Sequence, residues 1–317
     1  MKHNKFAILL RKWVLLLVVL VLAAVFASFS DTFLKPTNLL NIVRQTAIMG
    51  ILAVGITFVI VAGEMDMSFA SIATTSAILM LTFCLKGVNT YLSWLIVLVL
   101  GFIMGAINAF IVVKLKVPSM LGTIGTKLLF GGIAAWIGNG STVWTSKFST
   151  AFALPGRGVL FGVVPMQVVI LLLVVVFGLI FMERMVIGRY FYAVGGNAVA
   201  ADHAGINSGR IKSLSYILAG LFSALAGIVI ASQFASATCS VGDSYLFPAI
   251  IAVYLGSIFL KDGVTNMWGT LVACLLLQEI SNGFSLCNIN YWFEYICQGI
   301  IMIIAIATMV SGKRHRK

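Results

Sequence analysis

Charged side chains are scarce in this sequence: 9% of its 317 residues are Asp, Glu, Lys or Arg, where soluble domains carry roughly 25%. With 61% hydrophobic residues and a mean hydropathy of +1.10, no aqueous core can absorb the apolar surface, and the chain requires lipid as solvent. No segment is polar enough to stand as a separate aqueous domain, so residues 1–317 are expected to form a single membrane domain. Five cysteines make an odd count without a C-x-x-C pair, and three histidines lie far apart. A disulfide framework and a metal site are both unsupported.

Enzyme signatures are missing as well. The run Gly122-Thr123-Ile124-Gly125-Thr126-Lys127 is the nearest approach to a phosphate-binding loop. Its spacing is wrong, no Ser or Thr follows the lysine, and it heads an apolar stretch. Serine nucleophile elbows, paired catalytic carboxylates and H-E-x-x-H are absent, which leaves no catalytic residue and no metal ligand to nominate. A chain of this kind cannot power transport by itself.

What is present is a succession of ten apolar stretches of about 20 residues, the length that crosses ~30 Å of hydrocarbon as a helix. They start near Trp13, Leu39, Ser68, Tyr91, Ser119, Pro165, Ser213, Pro248, Met267 and Glu294. The first follows Lys2, Lys5, Arg11 and Lys12 and superficially resembles a signal peptide, but its apolar core is long for that role. It is read as an uncleaved first helix entering from the cytoplasm. Ten spans then put both termini inside, with fifteen of the 21 basic residues in inner segments and four (Lys35, Lys86, Lys147, Arg157) in outer ones. That asymmetry obeys the positive-inside rule. The same placement accounts for the net charge of +12, because the basic residues punctuate apolar runs instead of forming a solvated face for nucleic acid.

Two polar stretches interrupt the pattern, an outer one at 139–164 and an inner one at 183–212. The inner one is the natural dock for a cytoplasmic partner. Charges near or inside spans, namely Arg44, Lys127, Glu279 and Glu294, are the remaining functional candidates, since each is costly at mid-bilayer unless paired or hydrated. Arg44 and Glu294 lie near span ends and can snorkel, whereas Glu279 is a candidate for the translocation path. Asn108, mid-span beside the small-residue stripe Gly101, Gly105 and Ala109, either lines a path or makes an interhelical hydrogen bond. Trp13, Trp94, Trp268 and Trp292 fall near expected helix ends, as interfacial belts require.

From Gly188 to Asn207 the chain reads G-R-Y-F-Y-A-V-G-G-N-A-V-A-A-D-H-A-G-I-N. This resembles the permease subunits of ribose-type sugar ABC importers, whose loop follows G-R-x-x-Y-A-x-G-G-N-x-x-A-A-x-x-[SA]-G-I. Asn38-Leu39-Leu40-Asn41-Ile42 is similar to the entry of that family's second helix. Gly63-Glu64-Met65-Asp66-Met67-Ser68 is similar to its inner-turn G-G-I-D-L-S signature, with Gly63, Asp66 and Ser68 matched. Val117-Pro118 through Thr126 resembles V-P-x-F-I-x-T-L-G-T, and Trp268-Gly269-Thr270-Leu271 resembles x-W-G-T-L. Two departures put charge into inner turns: Glu64 replaces the second signature glycine, and Leu260-Lys261-Asp262-Gly263 stands in place of a glycine-rich turn.

The resemblance implies an all-α integral membrane protein of the vitamin-B12-permease, type II importer fold, located in the bacterial inner membrane. It implies two permease chains, identical or paralogous, two cytoplasmic ATPase domains that bind the ATP and Mg, and an external sugar-binding protein. This chain would bind no cofactor. The expected substrate is a monosaccharide, a pentose such as ribose first, and an ion-coupled secondary transporter or channel is the competing reading. Within the inner loop, a short helix around 198–204 is expected, opened by Asn197 as N-cap after a flexible Gly195-Gly196 pair. Ala200, Ala201 and Ala204 would offer a small docking face, with Asp202 and Gly205 completing the coupling motif.

Overall fold

The computed structural model describes residues 5–257 and 264–314, with side chains over 13–257 and 264–307. The 260–263 turn and the basic side chains at both ends lie outside the described residues. The helices are α1 (Lys5–Phe29), α2 (Pro36–Val61), α3 (Phe69–Leu85), α4 (Thr90–Ala109), α5 (Ser119–Ile137), α6 (Thr150–Arg157), α7 (Met166–Leu179), α8 (Val186–Gly196), α9 (Ala198–His203), α10 (Ser208–Phe234), α11 (Asp243–Gly256), α12 (Met267–Leu286) and α13 (Tyr291–Arg314). Two of them continue into a turn of π-helix, α4 through Phe110–Lys114 and α7 through Ile180–Arg184. Four two-residue strands complete the described structure: β1 (Val143–Trp144) pairs antiparallel with β4 (Ser236–Ala237), and β2 (Val159–Leu160) with β3 (Val164–Pro165).

Each expected span falls on a helix, and five helices are long and apolar enough to cross a membrane: Pro36–Val61, Thr90–Lys114, Ser119–Ile137, Met166–Arg184 and Ser208–Phe234. Trp13–Phe29, Phe69–Leu85, Asp243–Gly256 and Tyr291–Ala307 are shorter apolar helices. Helix starts follow ordinary capping chemistry. Asn89 accepts from Tyr91 N and Leu92 N, Asn266 accepts from Gly269 N, and Pro118 and Pro165 precede α5 and α7. Trp13 lies inside α1, which begins at Lys5, eight residues before the expected start.

The chain divides into two compact units, Met1–Ala53 with Pro248–Lys317, and Val54–Phe247. In the first, α12 packs on α1 through Phe26, whose ring covers Gly283 and meets Phe284 edge-on. Asn38 and Asn282 exchange amide hydrogen bonds of 2.9 and 3.0 Å, and Gln278 donates to Gln45. These amides replace water that hydrocarbon cannot supply.

In the second unit α3 and α10 are the buried centre, with α4 and α5 against α3 and with α4 and α6 against α10. Some 72% of the α10 span is buried against 22% of α5, so most of α5 is left uncovered by the rest of the chain. α4 and α10 touch backbone to backbone. A Cβ at Gly101 would overlap the Gly220 carbonyl, one at Gly105 the Tyr216 carbonyl, and one at Gly220 the Gly101 carbonyl. The glycine stripe is therefore a packing seam.

The loops assigned to the inner side by charge also meet in space: Gly63 lies on Gly195, and Gly209 lies on Val113. The outer ones meet likewise, through β1–β4 and a 3.0 Å contact between the Thr90 and Ser149 hydroxyls. Gly105→Val is expected to cost about 1–3 kcal/mol through overpacking. Gly132→Val, at a position with open space around it, should stay within about 0.5 kcal/mol. Thermal unfolding of both variants in one detergent checks the pair.

Candidate functional site

The polar residues that the sequence scatters over 150 positions converge on the loop between α2 and α3, residues 63–68. α2 stops because Gly63 takes a left-handed turn, φ +83, which a side chain resists. Asp66 follows, fully buried, and its Oδ1 accepts from Ser68 N and Ser68 Oγ, both at 2.7 Å. Asn108 of α4 donates to Ser68 Oγ at 2.6 Å and accepts from Thr126 Oγ1 of α5 at 2.6 Å. Both ends of the Asn108 amide are engaged and the residue is buried, so the interhelical bond is the role the structure assigns it.

The loop backbone is held with equal thoroughness. Met65 N donates to Ser119 Oγ, Met67 N donates to Thr123 Oγ1, and Tyr216 Oη donates to the Met65 carbonyl at 3.1 Å. Glu64, the departure from the signature, pairs with Lys212 Nζ at 2.6 Å. Asp66 Oδ2 has no hydrogen-bond partner among the described residues. Burial drives the Asp66 carboxyl up to about 6 from its ordinary 3.8, against the opposing pull of the Ser68 hydrogen bonds.

The inner stretch is a helical extension of this site. α7 runs on to Arg184, α8 occupies Val186–Gly196 and α10 begins at Ser208, so little of 183–212 is irregular. Gly188 lies on the carbonyls of Phe181 and Met182. Phe191 packs edge-on against Phe58 at 5.9 Å and Phe181 at 5.6 Å, while Phe222 stacks on Phe58 at 6.0 Å. This aromatic cluster seats α8 and left no sign in the local sequence.

Gly195 and Gly196 are not a flexible link but the last residues of α8, and Gly195 is a contact. A Cβ there would overlap the Val61 carbonyl oxygen, and a Cβ on Gly63 would press on the Gly195 Cα. Gly196 faces open space.

α9 forms at Ala198–His203 with Asn197 Oδ1 accepting from Ala200 N at 3.0 Å, the cap its sequence requires. Gly205 ends it at φ +81. Asp202 reaches forward, accepting from Ser208 N and Ser208 Oγ at 2.8 and 2.7 Å, which binds α9 to the first turn of α10 and holds its carboxyl below the ordinary range. Val199, Ala200, His203 and Ala204 are exposed. Ala201 is not part of that face: it is 5% exposed and points into the chain, because a six-residue helix seated on the protein must bury one side.

The other candidates separate from this cluster. Glu279 belongs to the first unit, on α12, where it is 4% exposed and Oε2 lacks a partner among the described residues. Lys127 pairs with Asp243 at 3.1 Å, and Glu294 accepts from Gln298 at 2.9 Å. Arg44 is half-buried on α2. No group of three or more His, Cys, Asp or Glu suited to a metal occurs among the described residues.

Burial favours protonated Asp66, so the native state loses stability as pH rises from about 4 through about 6. Asp66→Asn removes that penalty. Its stability advantage over wild type should be absent near pH 4, grow to at most about 3 kcal/mol and level off above pH 7 in thermal unfolding. The reverse course would show the ionised carboxylate to be the stabilising form.

Comparison with known proteins places this architecture. Residues 38–306 match the family model described as branched-chain amino acid transport system / permease component. The chain is 32% identical to the ribose import permease protein RbsC of Bacillus subtilis over 90% of this chain and 88% of that one. It is 33% identical to the Escherichia coli protein of the same name over 95% and 93%, and 29% identical to the E. coli xylose transport system permease protein XylH over 89% and 87%. No solved structure matches. The chain is a multi-pass membrane protein and a transport subunit, not an enzyme, and it belongs to the family of permease components of the branched-chain amino acid transport system type.

Proposed function

We propose that this chain is the permease subunit of an ATP-binding cassette importer that carries a monosaccharide, a pentose such as ribose first, across the bacterial inner membrane. The observation that carries the proposal is α9, a capped helix with exposed Ala200 and Ala204 that is held through Gly195 of α8 against the Val61 carbonyl and through Asp202 to Ser208 of α10 instead of lying free. An engine outside the membrane needs such a handle, and nothing in the sequence supplies ATP-binding chemistry to the chain itself. Names of relatives that import ribose and transport xylose support the substrate class.

In this reading ten helices of a vitamin-B12-permease-like fold make one permease domain over 1–317, with both termini cytoplasmic. Two such chains, identical or paralogous, join two cytoplasmic ATPase domains that hold ATP and Mg, and an external sugar-binding protein delivers the solute. Gly195, Gly196, Asn197, Ala200, Asp202, Ala204 and Gly205 form or shape the ATPase-facing motif. Ala201 acts from behind it, as the residue that seats the helix. Gly63, Asp66 and Ser68 build the inner turn on which that motif rests.

An ion-coupled carrier is the second reading, and buried Glu279 is what favours it. The two separate in liposomes. The importer reading expects no gradient-driven uptake by the chain alone, and sugar uptake only with ATPase, ATP and binding protein present. Gradient-driven uptake by the chain alone would overturn it.

Gly196→Trp, at an open position, should lower sugar uptake about tenfold or more while ATP hydrolysis continues, the size of a lost coupling term. Ala201→Trp is not an equivalent probe, because the buried site has no room for indole. Uptake per ATP hydrolysed in proteoliposomes is the measurement, and a wild-type ratio in Gly196→Trp would remove α9 from the coupling role.

A further inference from the structure

The segment from α8 to the start of α10 is fastened to the 63–68 loop at both ends. At its front, Gly195 lies on the Val61 carbonyl and on Gly63, with no side chain between the backbones. At its rear, Asp202 ties α9 to Ser208, and one turn further along α10 Lys212 Nζ meets Glu64 Oε1 at 2.6 Å. Tyr216, one turn beyond Lys212, donates to the Met65 carbonyl of the same loop. From the loop, hydrogen bonds run on to α4 through Ser68 and Asn108 and to α5 through Ser119, Thr123 and Thr126.

We infer that the Glu64–Lys212 ion pair is a latch that holds the α8–α9 segment in register with the 63–68 loop and so sets how far a displacement of α9 reaches α4 and α5. Three observations carry this. The pair is the single ion-paired tie among the contacts that join loop and segment in the described residues, and an ion pair is weaker and less directional than the packed glycines at the other end. It is partly shielded, with side-chain exposures of 13% for Glu64 and 25% for Lys212, so its attraction is screened less than that of a surface pair. It also joins the loop to α10, as the Tyr216–Met65 hydrogen bond does one turn further on, whereas the hydrogen bonds around Ser68 and Asn108 join the loop only to α4 and α5.

The segment is therefore held firmly at its front, where Gly195 packs on the Val61 carbonyl, and the latch at its rear decides whether the far end stays in register. Glu64 stands where the resembling signature has glycine, so the latch is a property of this chain and not of the loop geometry alone. Both residues are positioning residues, since neither needs to touch the solute.

The coupling consequence rests on the importer reading, but the latch can be read without it. In the purified chain in lipid nanodiscs, E64Q and K212Q should each speed amide hydrogen exchange across 197–207 by about two- to fivefold, the bias an ion pair of this exposure can supply. The charge swap E64K/K212E should restore wild-type exchange. Thermal unfolding of the same samples checks that the chain stays folded. Unchanged exchange in folded E64Q, or a folded swap that exchanges as fast as the single variants, overturns the latch.

In the importer reassembled with its ATPase and sugar-binding protein, E64Q should lower sugar carried per ATP by a similar factor, and the swap should recover it. Equal ratios in wild type and E64Q, with exchange altered as expected, would overturn the coupling consequence. If the chain instead carries solute alone on an ion gradient, the importer reading falls while the exchange result still decides the latch.

Discussion

A backbone that leaves a helix inside a membrane protein has no water to bind, and each unpaired N–H or carbonyl there costs several kcal/mol. The 63–68 loop meets that demand over its shielded part, with Asp66 and Ser68 buried and Glu64, Met65 and Met67 half-buried. Its amides at Met65 and Met67 end on the hydroxyls of Ser119 and Thr123, its Met65 carbonyl on Tyr216, and its Asp66 side chain on Ser68. Once those partners are required, the identities of α4, α5 and α10 near this end follow. α5 needs short hydroxyl side chains one turn apart at 119, 123 and 126. α4 needs an amide at 108 that donates on one side and accepts on the other. α10 needs a long side chain with a terminal donor at 216.

Close approach is the second consequence. A hydroxyl reaches a loop amide at about 3 Å only if the helices that carry both lie close, and the seam between α4 and α10 at Gly101, Gly105 and Gly220 lets that happen. The carbonyls of one helix rest on the Cα atoms of the other. Larger residues there would move α10 outward and pull Tyr216 from the Met65 carbonyl. The buried row on α3, with Thr75 donating to the Phe130 carbonyl and Thr74 accepting from Gly242 N, repeats the device toward the opposite end. Small and polar residues are therefore the specifying element of this unit, because apolar faces that all resemble lipid cannot select a partner.

Much of this was legible in advance, and the limits have physical causes. Span positions were readable because hydropathy over 20 residues is a local property: expected starts at Ser119 and Met267 coincide with α5 and α12, and those at Ser68, Tyr91 and Pro165 miss by one residue. The Asn197 cap was readable for the same reason, since a cap acts on amides three residues away. Gly195 misled because its role is set by Val61, more than 100 positions off, and Ala201 because burial depends on how α9 is seated. A glycine that serves as a contact is indistinguishable in sequence from one that serves as a hinge. Asn108 fitted two readings until Ser68 and Thr126 were found on either side of it. The clustering of Phe58, Phe181, Phe191 and Phe222 was hidden by abundance, because a chain with 22 phenylalanines offers no contrast in which four stand out.

The asymmetry between the two ends of the Val54–Phe247 unit bears on why the polar investment is made where it is. At the end holding 139–164, short strands and surface hydroxyls such as Thr90 and Ser149 make most connections, beside a buried tie in which Gly156 N donates to Ser232 Oγ. At the end holding α9, a carboxyl group is buried whole, an ion pair is half-shielded, and the Met65 and Met67 amides are matched to side chains of α5. Burying such groups costs stability that leucines in their place would not lose. What they add is discreteness. A hydrogen-bonded loop is either in register with its helices or out of it, whereas an apolar contact slides by degrees. In the proposed importer, a membrane domain that changes shape between defined states needs discreteness where α9 is held, and the hydrogen bonds around residues 63–68 would supply it.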